Sequence, residues 1–475
     1  MAEAPDREEL DEARRRGEGA RARRLARERT RRLEGAVPTA RMPRRWRPSD
    51  SKPGQLTGGA EHRRGKRPRR LTGKRAAEPP ARASQTATGG RWGEQSARAS
   101  ARAGVCGSSA LKVLVLSFYM SFPHLSSIGR LVEGIVSLGN TEWLEFCISL
   151  PPTEPLGRAI EIGQEFMAFS RAYPVAFSWL TTLTLEYHDF GHSGITDLIR
   201  TCGRLRHLKL RVCRLLDLHS TLKIDVSCSQ LQELEFIGFG CTRIKLVSVP
   251  KLRQVECYRW LFKNTPVRFG YVPELRGLVL SSKAKAWQEP FALSECLSTS
   301  TVARNLSKLT LCFGYQMIWI QPESPKQLVV MFRNLTSVRL FRIISECDLS
   351  WTLFILEAAP ALQDMTLSRH SCVKTPEKSA EKTNVVWEPS KDLKHLNLKV
   401  LQIYGCEDED KVRNYIRLVM ERAVGLFIIQ LYGESPCMYC DATNLERSDA
   451  EKTSRRWIKE QLTYGSSSSV EIIIC

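Results

Sequence analysis

One pattern of apolar residues recurs through most of this chain: L-x-x-L-x-L, with apolar substitutions, between Leu111 and Ile403. Ten clear copies begin at Leu111, Leu180, Leu205, Leu231, Leu252, Leu275, Leu306, Leu335, Leu362 and Leu398, and a degraded copy lies around Leu144 and Phe146. From Leu180 onward, successive copies begin 25, 26, 21, 23, 31, 29, 27 and 36 residues apart. Such regular spacing predicts a repeated structural unit.

The last two apolar positions of each copy are two residues apart, so on a β-strand they face the same side. A single copy cannot cover that face, but stacked copies share one core beneath a parallel sheet. The intervals centre on the period of leucine-rich repeats, roughly 20–29 residues. We therefore predict an α/β leucine-rich-repeat solenoid, with a parallel sheet on the concave side and helices and loops on the convex side.

Segments between the copies have the apolar spacing of helices. Residues 126–138, 195–201 and 351–358 each place their apolar side chains on one helical face, and Pro360 ends the third. Alternation of strand and helix is typical of a parallel sheet covered by helices.

Positive charge is concentrated ahead of the repeats. Residues 1–104 hold 28 Lys+Arg against 13 Asp+Glu, which is +15 of the net charge of +20, and they contain few large apolar residues. Such a segment cannot bury enough surface to offset its chain entropy. We predict a disordered Arg/Ala/Gly/Pro-rich tail at 1–104, a repeat region at 105–384, and a C-terminal region at 385–475 that continues the array.

A basic cluster in the tail has two interpretations. It comprises Arg63, Arg64, Lys66, Arg67, Arg69, Arg70, Lys74 and Arg75. Basic runs of this kind serve in nuclear import or in nonspecific nucleic-acid contact, but they also occur in charged tails with no such role. No aromatic ladder accompanies the arginines, so specific nucleic-acid binding is not expected. This cluster carries the alternative function: a nuclear, nucleic-acid-associated protein acting through its tail.

The sequence contains no recognisable catalytic, cofactor-binding or metal-binding motif. The 15 cysteines follow no spacing framework, and Cys437-x-x-Cys440 lacks the second ligand pair that a structural zinc needs. Phosphate-loop and nucleophile motifs are absent, so we expect no catalysis, cofactor or metal. With no secretory leader and no long apolar run, we expect no membrane span and a cytoplasmic or nuclear location with reduced thiols.

Outward positions of the strands are the candidate binding site. They include Lys209, Arg211, Glu235, Glu256, Tyr258, Arg339, Phe341 and Tyr404. Mixed charge with interleaved aromatic rings suits a protein partner, although an ordinary solvated sheet face has similar residues.

Features around the repeats point to a known family. Several copies are introduced by Cys-x-x-Leu or Pro-x-Leu, as at Cys202 and Pro250. In the C-terminal region, Trp387-Glu-Pro389 precedes the copy at 395–405 and an acidic run at 407–410; a helix, a strand, a second helix and a last strand follow. Over about 105–475 the chain resembles plant F-box proteins of the grass type, which carry leucine-rich repeats and a C-terminal FBD module.

The resemblance implies an FBD-like α+β cap and the role of substrate receptor in a Skp–cullin–F-box ubiquitin ligase. The F-box that docks the Skp adaptor is not recognisable in residues 1–104, so docking is assigned to no residue. An F-box upstream and an F-box-less remnant both stay open. The first strand also needs a cap, which the segment 126–138 or upstream sequence could supply. We expect a non-catalytic protein-interaction scaffold.

Overall fold

A computed structural model of the protein describes residues 97–103, 111–120, 122–150, 158–260, 265–282, 290–297, 305–314, 318, 320–370, 387–406, 409–433, 445–464 and 469–475. All of them belong to one compact unit, Arg82–Cys475. The basic cluster at 63–75 and the Cys437–Cys440 pair lie outside the described residues.

Strands are the most numerous elements of the described chain. They are β1 (Ala97–Ala103), β2 (Leu111–Tyr119), β3 (Trp143–Ser149), β4 (Thr182–Glu186), β5 (Asp189–Phe190), β6 (His207–Arg211), β7 (Arg214–Leu215), β8 (Thr221–Asp225), β9 (Glu233–Ile237), β10 (Arg243–Ser248), β11 (Gln254–Trp260), β12 (Val267–Tyr271), β13 (Gly277–Ser282), β14 (Phe291–Ala292), β15 (Lys308–Cys312), β16 (Ile320–Gln321), β17 (Ser337–Ile344), β18 (Asp364–His370), β19 (Val400–Tyr404), β20 (Ile428–Tyr432) and β21 (Glu471–Ile474).

Helices connect many of these strands. They are α1 (Phe122–Ser137), α2 (Ala159–Ala172), α3 (Pro174–Trp179), α4 (Gly194–Thr201), α5 (Leu293–Leu297), α6 (Pro325–Phe332), α7 (Leu353–Ala358), α8 (Asp410–Arg422) and α9 (Leu445–Thr463), and a 3-10 turn covers Ser350–Thr352. The three helices predicted from apolar spacing are confirmed as α1, α4 and α7.

Fourteen of the described strands form one sheet, in the order β1-β2-β3-β4-β6-β9-β11-β13-β15-β17-β18-β19-β20-β21. The β1–β2 pair is antiparallel, and every other neighbouring pair in this sheet is parallel. Sheet order follows chain order, so each parallel strand lies beside the strand of the next copy. The predicted α/β class with a large parallel sheet is confirmed.

The apolar pattern explains which face of the sheet is buried. In β6, Leu208 and Leu210 are buried, whereas Lys209 and Arg211 are half-buried. The same alternation recurs along the sheet, and the buried side chains of strands and helices form a single cluster that extends from Leu114 to Ile472. Each fully buried leucine contributes about 2 kcal/mol of transfer free energy, so the pattern supplies the main stabilising term.

Three connecting segments differ from the predicted helices and loops. Strands β8, β10 and β12 form a second, three-stranded parallel sheet, with β10 between the other two. The copies that hold β8, β10 and β12 begin at Leu205, Leu231 and Leu252 and span 26, 21 and 23 residues. A strand rises about 3.3 Å per residue against about 1.5 Å for a helix, so an extended return needs fewer residues. The two shortest copies therefore favour strands, whereas the 26-residue copy with β8 is no shorter than the 25-residue copy with α4.

The predicted disordered tail needs a correction at its end, because Ala97–Ala103 forms β1. It pairs with β2 from Ala97 opposite Phe118 to Ala103 opposite Leu111. Strand pairing uses backbone N–H and C=O groups, so a polar composition does not prevent it. β1 covers the edge of β2, the position for which α1 or upstream sequence was expected to supply a cap.

His188 is a polar side chain in the core, between β4 and β5. Its ring is fully buried, its Nδ1 donates to the Glu186 carbonyl at 2.7 Å, and it packs edge-on against Phe166. The neighbouring Asp189 carboxylate is neutralised by Arg214 at 2.8 Å. Burial lowers the pKa of His188 from 6.5 to about 4.

We expect this histidine to make the protein less stable in mild acid. The unfolded chain takes up a proton near pH 6.5 and the folded chain only near pH 4, so stability is complete above 6.5 and falls as pH drops towards 4. At pH 5 the loss is about 2 kcal/mol. Urea unfolding at pH 7.5 and pH 5.0 measures it, with His188→Gln, which keeps a donor for Glu186, as the non-titrating control. An equal loss in both proteins would contradict the prediction.

Candidate functional site

The face of the fourteen-stranded sheet away from the core carries partly exposed side chains, and we call it the open face. Because neighbouring strands pair in register, these side chains form rows across the sheet. A middle row includes Thr184, Lys209, Glu235, Glu256, Val279, Thr310, Arg339, Thr366, Gln402 and Gln430. The next row, towards the C-terminal ends of the strands, includes Glu186, Arg211, Ile237, Tyr258, Ser281, Cys312, Phe341, Ser368, Tyr404 and Tyr432.

All eight residues proposed from sequence lie on the open face. Four are in the middle row (Lys209, Glu235, Glu256 and Arg339), and four are in the C-terminal row (Arg211, Tyr258, Phe341 and Tyr404). They do not form one cluster, because strands between them carry small residues. They divide among three zones: the first from β4 to β9, the second from β11 to β17, and the third from β18 to β20.

In the first zone, from β4 to β9, opposite charges pair across strands. Lys209 Nζ lies 2.7 Å from the Glu235 carboxylate, and Arg211 Nη1 lies 2.9 Å from Glu186. In the row nearer the strand starts, His207 Nδ1 lies 2.9 Å from Glu233. Such half-exposed pairs contribute little stability, typically below about 1 kcal/mol each. Their effect is to leave this zone nearly neutral.

The third zone, from β18 to β20, is uncharged at its centre. The Thr366 hydroxyl donates to Gln402 Oε1 at 3.1 Å, and Gln402 Nε2 donates to Gln430 Oε1 at 2.7 Å. The rings of Tyr404 and Tyr432 stack with centroids 4.3 Å apart and planes within 6°. This is a flat platform of amides and phenol rings that offers stacking and hydrogen bonds.

Between these zones lies a hollow of about 370 Å³. It is lined by Gln254, Glu256, Tyr258, Gly277, Leu278, Val279, Lys308, Leu309, Thr310, Ser337, Arg339 and Phe341. The floor is formed by β13 and β15, where the outward residues Gly277, Val279 and Thr310 are small. Longer side chains on β11 and β17 make the two walls. Since strands are about 4.8 Å apart, the flanking strands are about 14 Å apart.

The two walls differ in charge and in pairing. On β11, the Glu256 carboxylate accepts a hydrogen bond from Gln254 Nε2 and another from the Tyr258 hydroxyl. Burial, together with this bond to Glu256, raises the pKa of Tyr258, so its hydroxyl stays a donor. Arg339 on the opposite wall and Lys308 on the floor strand β15 are exposed, and neither has an ion pair with any described residue. The hollow therefore has a hydrogen-bonded acidic wall and, facing it, two cations that lack an ion pair among the described residues.

Several open-face residues were not predicted from the sequence, including Lys308, Gln402, Gln430 and Tyr432. Each occupies an outward position before or after a buried leucine or isoleucine, as in Lys308-Leu309 and Leu431-Tyr432. That signal was available in the pattern. The depth of the hollow was harder to find, because it depends on small residues in two adjacent strands.

The described cysteines are free thiols, and many are buried. Burial raises the pKa of Cys202 and of Cys213 to about 12, so these thiols stay protonated and act as apolar core groups.

Among the described residues, no group of three or more His, Cys, Asp or Glu side chains is placed to hold a metal ion. In the same part of the chain, no helix is both long and apolar enough to cross a membrane.

Comparisons with known proteins give little further information. No protein-family model matches the chain, and no curated protein sequence matches it. Among solved structures, a Bacteroides fragilis protein of known crystal structure aligns with 75% of this chain and 72% of its own, at 10% identity and a TM-score of 0.28. A likeness this low carries no argument about fold family or function.

Proposed function

We propose that this protein is a non-catalytic scaffold of leucine-rich repeats that holds another protein on its open face. The observation that carries the proposal is the arrangement of that face: aligned rows of charged, amide and aromatic side chains displayed on a rigid sheet. Arginine and tyrosine are among the residues enriched in binding hot spots, and both occur here beside apolar floor positions.

The parallel sheet and the apolar pattern support the leucine-rich-repeat assignment. In the C-terminal region, β19, α8, β20, α9 and β21 follow in the order expected for an FBD-like module, and all three strands extend the main sheet. We propose that the chain is the target-binding part of an F-box-type ubiquitin-ligase substrate receptor, or a remnant without an F-box. Co-purification with a recombinant plant Skp adaptor separates these: stable binding supports the receptor, and none leaves the remnant.

Site-specific photocrosslinking tests the scaffold function. A benzophenone amino acid is introduced at Lys209 or at Tyr404 on the open face, and at Lys245 on the second sheet as the matched control. We expect one shared set of protein partners to crosslink from both open-face positions and not from Lys245, because one bound protein spans several strands. Crosslinking only from Lys245, or from no position, would refute binding on this face.

The charge of the tail supports the alternative, a nuclear protein that contacts nucleic acid. Residues 1–104 carry a net charge of +15. This role predicts binding of duplex DNA or RNA that weakens steeply with salt and disappears when Arg63, Arg64, Lys66 and Arg67 are replaced by glutamine in the full chain. Retention of binding in that variant would exclude the cluster as the contact.

A further inference from the structure

The hollow between β11 and β17 has a shape that limits what can occupy it. Its floor is two strands wide, and its walls are the longer side chains of Glu256, Tyr258, Arg339 and Phe341. The trough therefore runs along the strands. A chain segment lying in it must be narrow and extended, because the walls are only about 14 Å apart between backbones.

The charged side chains that line the hollow determine the charge of the ligand that it can bind. Glu256 keeps its negative charge, and it is already hydrogen-bonded by Gln254 and Tyr258. Lys308 and Arg339 lie diagonally on β15 and β17, about 8 Å apart by strand geometry, and neither has an ion pair with a described residue. An incoming carboxylate would find two unneutralised cations, and arginine can bind it with two parallel hydrogen bonds.

Apolar surface lies beside the cations. Val279 is on the floor, and Phe341 is half-buried in the wall, two residues beyond Arg339 on the same strand. In an extended peptide, side chains two residues apart face the same way and are about 7 Å apart. The spacing of Arg339 and Phe341 therefore matches an acidic residue and an apolar residue at positions i and i+2, in either order.

We propose that the hollow binds an extended peptide segment carrying an acidic side chain two residues from a large apolar one. The carboxylate lies between Lys308 and Arg339, near the row of Val279, and the apolar side chain packs against Phe341 one row further along the strands. The proposal deepens the scaffold function and rests on it, since it names the chemistry of the partner at one part of the open face.

The test uses the full chain and a display library of random linear heptapeptides as the probe. We expect the selected sequences to be enriched in Asp or Glu two positions from Leu, Ile, Phe or Trp. The double variant Lys308→Glu/Arg339→Glu is expected to weaken binding of these peptides at least tenfold and to select basic sequences instead. Val279→Trp, which fills the hollow without changing charge, is expected to weaken binding by a similar factor.

The matched control reverses two exposed cations on the second sheet, Lys223→Glu/Lys245→Glu, which changes net charge equally and should leave affinity within twofold. Far-UV circular dichroism and urea midpoints verify that each variant is folded. Selection without acidic enrichment, or acidic peptides whose affinity survives both the double reversal and Val279→Trp, would overturn the acidic-peptide site. Open-face crosslinking to a protein partner would then still stand, so the two proposals fail separately.

Discussion

Replacing Gly163 by alanine is expected to destabilise the protein by about 3 kcal/mol. Gly163 lies in α2, and a Cβ added there would be only 1.9 Å from the carbonyl oxygen of Asp189 in β5. That neighbour is backbone, and the Asp189 side chain is held by Arg214, so neither side can move away cheaply. The methyl group must therefore push α2 away from β5 and open the core beneath it.

Gly134 supplies a control with the opposite sign. It lies within α1, and a Cβ added there would meet nothing within 4 Å. Alanine at this position should stabilise the protein by about 0.5–1 kcal/mol, because it restricts the unfolded chain and favours the helix. Urea midpoints of both variants measure the contrast. Similar effects of the two substitutions would show that helix propensity, and not close approach of backbone, governs both positions.

Replacing Trp351 by alanine is expected to cost about 4 kcal/mol. Trp351 is fully buried in the 3-10 turn before α7, where its ring meets Phe313 edge-on at 5.4 Å between centroids and lies 6.4 Å from Phe354. Removing the indole leaves a cavity that rigid neighbours cannot fill, so both transfer free energy and packing are lost.

Trp457 is the matched position for this second substitution. It lies in α9 and is 49% exposed. Trp457→Ala should therefore cost below about 1 kcal/mol. Thermal and urea unfolding of the two alanine variants compare them directly. A loss at Trp457 equal to that at Trp351 would mean that α9 is packed more tightly than its exposure indicates.

The strands of the main sheet were predictable because the alternation of apolar and polar residues gives both the position of each strand and the face that it buries. Leu208 and Leu210 alternate with Lys209 and Arg211, so the pattern that locates β6 also identifies its outward residues. The open face follows from the same alternation in each copy. No longer-range information was needed for these features.

Other features depend on contacts that a single segment does not encode. The second sheet at β8, β10 and β12 forms by pairing between segments of three successive copies, which no single copy encodes. β1 forms through backbone pairing with β2, to which side-chain pattern contributes nothing. The hollow requires Gly277 and Val279 to lie beside Thr310 in register, which only the pairing of β13 with β15 establishes.

The order of strands in the main sheet also bears on how damage spreads. Each of its strands, from β2 to β20, is bonded only to the members immediately before and after it in the stack, so energetic coupling passes from neighbour to neighbour. A destabilising substitution near one terminus would then unfold the strands at that end, while the strands at the other end keep their structure. Unfolding followed by probes at opposite ends of the sheet need not give a single transition. Deletion of one whole copy would bring the two strands on either side of it next to each other.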